Sequence, residues 1–552
     1  MRYRSILAIS KAYRGAAERE PSADGKLNVF FSPANRRNAT KEDPLGFLTE
    51  EEIAKLSPAE SLFPSPIPVQ FVSSDEFMPG VQTPKQREFE VRVKELGAQL
   101  ARHHGMSRRA FFKTSAGMAA AFVAMNDTYG QIYEVARGEA TIPELAQARS
   151  DSLKDQFVMD MHTHFLRDDT KIMNFVRQRE AVGKSGWNPA LVGKPQTIDD
   201  LKFPNYFKEI FLDSDTKVAC ISGSYSVEPG DSFLTNQMKF DAREKINKEA
   251  GTRRMFSHAI FTPGWQGWLD TFDRENETLR PDSWKGYTIG DNTNKHLSKF
   301  PFRLDDEKVM YPFYEKLVKT MQKYPDRPGL KNVCIHKGLF PPSIEAQFPH
   351  LMGYCNVNDV GKAAKDWPQL NFVIYHSAYR WVAGPGGTAE NAWAQLQRTG
   401  RVDWVTDLAD IPAQYGVSNV YADLGQIFAH SNMAEPRVCA FMLGAMIKGM
   451  GADHVCWGTD ALWTGAPQWQ IEALRRLEIP EDIQKRYGFA PMGPANGPVK
   501  RAILGENNAR LYGYSPKQQA AVVTDKVAHY KEIYERHGAD RSNRAYGYVQ
   551  NA

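Results

Sequence analysis

From about residue 151 the sequence alternates between short apolar runs and longer stretches of helical period, which constrains the fold more than any other feature. In the intervening stretches apolar residues recur at helical spacing, as between Tyr311 and Tyr324. The eight strand candidates are 156–161, 216–222, 254–261, 284–288, 331–336, 370–376, 418–424 and 453–459. Eight strands separated by helices over roughly 360 residues predict an α/β fold, a (β/α)8 TIM barrel. A doubly wound open sheet is the competing fold, but the glycine-rich turn that usually follows its first strand is missing from this sequence.

The rest of the chain divides into three further parts. Residues 1–83 are rich in Pro, Ser and Asn and predict an extended N-terminal arm that wraps a neighbouring subunit, hence a homo-oligomer. Residues 84–150 form a helical segment, in which Thr83 and Pro84 open the first helix and Gly105 ends it. The barrel spans 151–513. Residues 514–552 are a C-terminal helix and tail, with the helix running from Ser515-Pro516 to about residue 537.

Composition limits the classes of partner. Apolar residues make up 42% of the 552 and charged residues 24%, as in a soluble globular protein, and the net charge is only +4. Because no basic run carries interleaved aromatics, nucleic acid is not an expected partner. The five cysteines lack the close pairs of a zinc ribbon, and we expect buried, reduced thiols. We expect a small-molecule substrate and no membrane span, because no stretch approaches about 20 apolar residues.

Residues 107–113 read Ser-Arg-Arg-Ala-Phe-Phe-Lys and resemble a twin-arginine export signal followed by a short apolar stretch. Such signals stand at an N-terminus, whereas this one lies more than 100 residues inside the chain. The alternative is a helix capped by Ser107 and followed by an Ala-rich buried face. We therefore expect a cytoplasmic protein, with periplasmic export as the alternative.

Metal-competent side chains stand at the ends of four predicted strands. His162 and His164 follow the first strand and, at i and i+2, project to one face about 7 Å apart. His336 ends the fifth strand, His376 the sixth and Asp460 the eighth. In a TIM barrel the carboxyl ends of the strands meet at one rim, where the chemistry takes place. Imidazole and carboxylate together are the ligand set of zinc and related divalent ions.

These residues form a pattern that resembles the amidohydrolase superfamily. "FVMDMHTHFL" (157–166) and "CWGTDALW" (456–463) look like its amidohydrolase-related branch, which includes aminocarboxymuconate semialdehyde decarboxylase and pyrone dicarboxylate hydrolase. "KRAILGENNARLYG" (500–513) is similar to the helix that ends that family's barrel. The resemblance covers about residues 151 to 513.

The resemblance implies a divalent metal ion, zinc first, with manganese and iron also suited to the ligands. It implies that His162, His164, His336 and Asp460 bind this ion and that His376 lies beside it as an acid/base or polarising group. Binuclear members carry a carboxylated lysine at the end of the fourth strand, where this chain has only Lys285, placed before the strand's end. We therefore expect one metal, and Lys285 as a solvent-facing or ion-paired lysine.

The chemistry expected at such a site is hydrolysis of an amide, lactone or ester of a small carboxylated or aromatic compound. A bound divalent cation lowers the pKa of its water to about 7. Asp460 would take the water's proton, and His376 would stabilise charge on the substrate oxygen. The same residues suit metal-dependent non-oxidative decarboxylation. A non-catalytic binding or assembly protein is the alternative of another class.

Three residues near the expected ligands are candidates for substrate binding. Arg380 follows His376 by four positions and Lys337 directly follows His336, so either cation could bind an anionic group of the substrate. Trp463 follows Asp460 by three positions and could form a wall against a planar substrate.

Overall fold

The structure, a computed structural model, describes residues 65–69, 82–170, 197–224, 232–291, 299–382, 386–517 and 525–539, with isolated residues between 171 and 231. The expected N-terminal arm therefore lies almost wholly outside the described residues, and the subunit contact predicted for it stays a prediction.

Eight parallel strands form one sheet in the order β1 to β8, so each strand pairs with its neighbours in sequence. Their bounds are β1 Met159–Thr163, β2 Val218–Ile221, β3 Met255–Ile260, β4 Ser283–Tyr287, β5 Asn332–His336, β6 Asn371–Tyr375, β7 Val420–Asp423 and β8 Val455–Cys456. All eight lie within or overlap the predicted segments. Helices separate successive strands, as parallel crossovers require.

The helices cover the outside of the sheet. Those between the strands are Phe203–Phe207, Asn236–Ala250, Trp268–Thr278, Tyr311–Lys323, Pro342–Gln347, Met352–Cys355, Val360–Asp366, Ala389–Thr399, Val405–Tyr415, Ile427–Ala434 and Pro436–Met450. Those after β8 are Gln468–Arg476, Glu481–Tyr487, Pro498–Arg501, Asn507–Tyr512 and Lys526–Arg536. The barrel interior is filled by side chains from alternate strand positions: Met159, Met161, Val218, Cys220, Phe256, Cys334, Val373, Tyr375, Tyr421 and Cys456.

Backbone hydrogen bonds between β1 and the segment after β8 close the barrel. The amide of Met161 donates to the carbonyl of Trp457 (3.1 Å), and the amide of Asp460 donates to the carbonyl of His162 (2.8 Å). Thr163 and Ala461 form a further parallel bridge. The predicted (β/α)8 fold is thus confirmed. β8 is shorter than predicted: Val455 and Cys456 pair with β7, whereas residues 457–461 form backbone hydrogen bonds mainly with the end of β1.

The segment before the barrel is helical, as predicted. Its helices are Pro84–His103, Arg108–Phe112, Ser115–Tyr129, Arg137–Thr141 and Pro143–Leu153. Thr83 caps the first with a reciprocal capping box, since its hydroxyl accepts from the Gln86 amide (3.1 Å) and the Gln86 carboxamide accepts from the Thr83 amide (2.8 Å).

The twin-arginine-like segment is folded against the rest of the protein. Ser107 accepts a hydrogen bond from the Ala110 amide (3.1 Å) and caps the short helix Arg108–Phe112. A second cap, Thr114, starts the Ala-rich helix Ser115–Tyr129, whose residues Ala119 to Ala124 are buried. The capped, buried helical alternative is therefore confirmed, with a break at Thr114. Use of the segment for export stays a prediction. None of the described helices is long and apolar enough to cross a membrane.

Near the C-terminus the helix Lys526–Arg536 is capped by Asp525, whose carboxylate accepts from the amide of Val527 (3.0 Å). Two tyrosine hydroxyls of this helix bind residues of the barrel segment. Tyr534 donates to Asp213 (2.7 Å) and Tyr530 donates to Glu249. Residues 518–524, in the first part of the predicted C-terminal helix, lie outside the described residues. All five cysteines are buried and unpaired with one another, as expected.

Phe112→Ala tests whether the twin-arginine-like segment belongs to the folded core. The Phe112 ring is 1% exposed and fills the space left by Gly97, where an added Cβ would lie 2.1 Å from the ring. We expect the truncation to lower the free energy of unfolding by about 3–5 kcal/mol, measured by chemical denaturation. Val91→Ala, at an exposed position of the neighbouring helix, is the control. Equal stability of both variants would contradict core packing of this segment.

Candidate metal centre

A pairing irregularity at the end of β1 directs both histidines into the barrel mouth. Asp160 pairs with Ala219 and Thr163 pairs with Ile221. Between these two pairs β1 therefore contains one residue more than β2. Such a bulge changes the face on which the following side chains lie. The ring of His162 consequently lies against Tyr375 of the barrel interior, with 4.2 Å between ring centroids.

Asp460 meets both histidines. Its Oδ1 atom lies 3.1 Å from Nε2 of His162 and 3.1 Å from Nε2 of His164. All three side chains are at most 3% exposed. They form the one group of three or more potential metal ligands found among the described residues, with their donor atoms within 4.8 Å of one another. The sequence-predicted convergence of these three residues is therefore present.

Burial and the carboxylates set the charge of the site. Burial would raise the pKa of Asp460, but the two imidazoles, His162 first, hold it well below its ordinary value, so the carboxylate is ionised. Burial lowers the pKa of His164 to about 4, leaving a neutral imidazole at pH 7. For His162, burial is outweighed by the charges of Asp460 and Asp423, which raise its pKa. One carboxylate facing two imidazole nitrogens in a buried site is a donor set suited to a divalent cation.

Two carboxylates that the sequence analysis did not single out position these ligands. Asp423, the last residue of β7, accepts from His162 Nδ1 (2.9 Å), which holds the ring with its Nε2 atom toward Asp460. Asp160 accepts from the amides of His162 (3.0 Å) and Thr459 (3.1 Å) and thereby ties the end of β1 to the loop that carries Asp460. Asp423 stands at a strand end, so the rule that found His336 and His376 would also have found it.

Two glycines make room for the pair of His162 and Asp423. A Cβ added at Gly458 would lie 2.0 Å from Asp423 Oδ1, and one at Gly425 would lie 2.2 Å from His162 Nδ1. Real Cβ contacts are never this short, so any side chain at either position would displace the imidazole or the carboxylate. These positions explain why glycine follows β7 and β8.

His376 and His336 lie next to the three-residue cluster. The ring of His376 is 4.9 Å from that of His162 and 4.6 Å from that of His336. His376 Nδ1 donates to the carbonyl of Gly425 (2.9 Å), which leaves the lone pair on Nε2. Burial lowers the pKa of His376 to about 3 and that of His336 well below its ordinary value, so both rings are neutral. Which of them completes a ligand set stays a prediction.

Left-handed backbone conformations occur at the rim where these residues lie. The non-glycine residues with positive φ within four positions of the ends of strands β5 to β8 are Leu339 (50°), His376 (58°), Ser377 (44°), Ala378 (55°), Gln426 (60°) and Asp460 (62°). Each such residue costs of order 1–3 kcal/mol, and conformations of this kind cluster at functional sites. At His376 and Asp460 the strained residue is itself a candidate site residue.

The predicted substrate-binding residues differ in their surroundings. Trp463 stacks on the ring of His164, with 5.3 Å between centroids and 10° between planes, so it forms a wall of the site. The guanidinium of Arg380 binds the carboxylates of Glu345 and Asp403. The ammonium of Lys337 is buried in an ion pair with Asp359 (2.9 Å). Roles of these three residues toward a substrate stay predictions, and both predicted cations already bind carboxylates of the protein.

The expectation for Lys285 requires correction. It was expected to face solvent or to form an ion pair, but it is fully buried within β4. Its ammonium lies 3.3 Å from the centroid of the Tyr375 ring, a cation–π contact inside the barrel. A solvent-facing Lys285 is therefore wrong, because the third residue of β4 points inward, level with Cys334 of β5.

Fold and site together define a (β/α)8 barrel with a candidate divalent-metal centre at its carboxyl rim. The sequence matches no protein-family model and no curated protein. Among solved structures the chain is similar to an uncharacterised TIM-barrel protein of Bordetella bronchiseptica, with 13% identity, a TM-score of 0.39, and coverage of 64% of this chain and 98% of that one.

Other similar structures are a 2,6-dihydroxybenzoate decarboxylase from Rhizobium (12% identity, TM-score 0.34, 65% of this chain and 99% of that one) and an amidohydrolase from Burkholderia multivorans with bound zinc (13%, 0.35, 65% and 100%). An amidohydrolase and a decarboxylase are thus among the structures to which the chain is similar.

Asp423→Ala tests the positioning of His162. Without the carboxylate, Nδ1 of His162 loses its acceptor and the ring loses its orientation, so we expect affinity for Zn²⁺ to fall about 10–100-fold. The measurement is competition against a chromophoric chelator. Asp410→Ala, on the protein surface, is the matched control. An unchanged Zn²⁺ affinity in Asp423→Ala, with the fold retained, would show that Asp423 does not position His162 for metal binding.

Proposed function

We propose that this protein is a metal-dependent hydrolase that acts on an amide, lactone or ester of a small, carboxylated or aromatic compound. The observation that carries the proposal is the meeting of His162, His164 and Asp460 at the carboxyl rim of the barrel. In barrels of this fold the chemistry is located at that rim.

His162, His164 and Asp460 would hold one divalent ion, zinc first, with His336 as a fourth ligand. Three imidazoles and an ionised carboxylate offer the nitrogen and oxygen donors that zinc takes. When bound, such a cation acts as a Lewis acid and makes water nucleophilic at neutral pH.

The remaining steps belong to residues of the chain. Asp460 has a second oxygen besides the one that faces the histidines, and this oxygen would take the proton of the attacking water and return it to the leaving group. His376, neutral and held by Gly425, would direct Nε2 at the substrate and stabilise charge that develops on the substrate oxygen. Trp463, stacked on His164, would form a wall of the site against which a planar substrate packs.

Decarboxylation would use the same residues, so hydrolysis and decarboxylation are distinguished by their products. A panel of aromatic carboxylates and lactones would be assayed for acid release and for CO₂ release in ¹⁸O-labelled water. Hydrolysis predicts incorporation of solvent oxygen into the product. Release of CO₂ without such incorporation would overturn the proposed hydrolysis in favour of a decarboxylase. No turnover of any compound by metal-loaded protein would favour a binding protein.

Asp460→Asn should lower kcat at least about 100-fold, because the amide cannot act as a general base. The measurement is steady-state kinetics on the compound found in the panel, with circular dichroism to confirm that the fold is retained. Asp453→Asn, an exposed position just before β8, is the matched control and should retain activity. Near-normal turnover by Asp460→Asn would show that the catalytic site is misassigned.

The metal content of histidine variants distinguishes the proposed metal ligands from His376. After purification without chelator, we expect elemental analysis to find about one equivalent of divalent metal per chain in the wild type. His164→Ala and His336→Ala should lose most of this metal, whereas His376→Asn should keep it and lose activity. His350→Ala, at an exposed position, is the control. Loss of metal in His376→Asn with retention in His336→Ala would exchange the roles of the two residues.

A further inference from the structure

A second polar group of side chains lies at the carboxyl end of β2, beside the candidate metal centre. Lys239, on the helix Asn236–Ala250, is fully buried. Its ammonium has no hydrogen-bond partner and no ion-pair partner among the described residues. Arg380 and Lys337, by contrast, bind carboxylates of the protein itself. A buried cation without a partner is costly, so its retention indicates a ligand.

The loop that meets Lys239 carries two further polar groups. Ser222 and Ser224 are each 1% exposed, and neither hydroxyl has a hydrogen-bond partner within the described part of the chain. Between them stands Gly223, and a Cβ added there would lie 3.5 Å from the Lys239 ammonium. A side chain larger than a methyl group at position 223 would collide with the lysine. Glycine at this position therefore allows the Lys239 ammonium to lie against the loop.

This loop is adjacent to the ligand-bearing end of β1. The amide of Ser222 donates to the carbonyl of Thr163 (2.8 Å), the residue between His162 and His164. The loop from Ser222 to Ser224 therefore lies beside the end of β1 that carries the candidate metal ligands.

The electrostatics around Lys239 suit the binding of an anion. Burial lowers the pKa of Lys239 to about 7, opposed by the charge of Glu275. The Glu275 carboxylate accepts from Asn236 (2.6 Å) and lies beyond ion-pair distance of the lysine. An anion placed against the ammonium would stabilise its charged form and satisfy the donors of the two hydroxyl groups.

We propose that Lys239, Ser222 and Ser224 form a binding site for a carboxylate group of the substrate at the carboxyl end of β2. One cation and two hydroxyl donors match the single charge and two oxygens of a carboxylate. The inference rests on the proposed function, since it assigns a carboxylated substrate to the same barrel mouth. It assigns anion recognition to Lys239 instead of Arg380 or Lys337.

The test measures binding of benzoate and acetate, against benzamide and acetamide, to the metal-loaded full-length protein by calorimetry. We expect the wild type to bind each carboxylate at least about tenfold more tightly than its amide. Lys239→Met should abolish this preference, and Ser222→Ala should weaken it. Lys248→Met, an exposed lysine of the same helix, should leave it unchanged. Lys239→Met should also melt no lower than the wild type, because it removes a buried, unpaired charge.

His164→Ala distinguishes the anion site from the metal centre, because a carboxylate could also bind the metal ion directly. Retention of the preference in His164→Ala, with its loss in Lys239→Met, supports the anion site even if the catalytic proposal fails. The reverse pattern, or a wild type that does not prefer carboxylates, would overturn the anion site and leave the metal centre standing.

Discussion

The candidate metal centre depends on the backbone seam between β1 and the segment after β8. His162 and Asp460 are almost 300 positions apart, and the bond from the Asp460 amide to the His162 carbonyl brings them side by side. Asp160 reinforces the seam by accepting from the amides of both His162 and Thr459. Because β1 and β8 become neighbours only when the barrel closes, the candidate metal ligands meet only in the completed fold.

Burial then determines how the assembled residues behave. Withdrawn from water, His164, His336 and His376 have lowered pKa values and remain neutral, while Asp460 stays ionised beside His162. Neutral imidazoles keep the lone pairs that a metal requires, and the carboxylate supplies negative charge. The surrounding aromatic rings, Trp463 and Tyr375 among them, exclude water and strengthen these interactions.

Much of this arrangement could be predicted from the sequence. The period-2 and helical patterns located all eight strands, and the rule that chemistry gathers at strand ends found His162, His164 and Asp460. Asp423 obeys the same rule, because its strand, "VYAD", ends in this carboxylate. Three features carry no local sequence signal: the pairing slip in β1, the left-handed backbone at His376 and Asp460, and the inward direction of Lys285.

The side-chain partners of charged residues could also not be predicted from the sequence. Their position after a histidine predicts that Arg380 and Lys337 bind the substrate, yet each binds a carboxylate of the protein, Asp403 and Asp359 respectively. Lys239 lies on a helix remote from any motif, and only the fold places it beside the end of β2. Spacing along a chain identifies groups at one rim but not which of them are already bound to each other.

The measurement that tests the central claim most directly is X-ray absorption spectroscopy at the metal edge of the zinc-loaded protein. Coordination by His162, His164 and Asp460 predicts only nitrogen and oxygen neighbours, at about 2.0–2.2 Å, with the outer-shell scattering of imidazole rings. Sulfur neighbours at about 2.3 Å, or no imidazole scattering, would place the metal elsewhere and contradict the account.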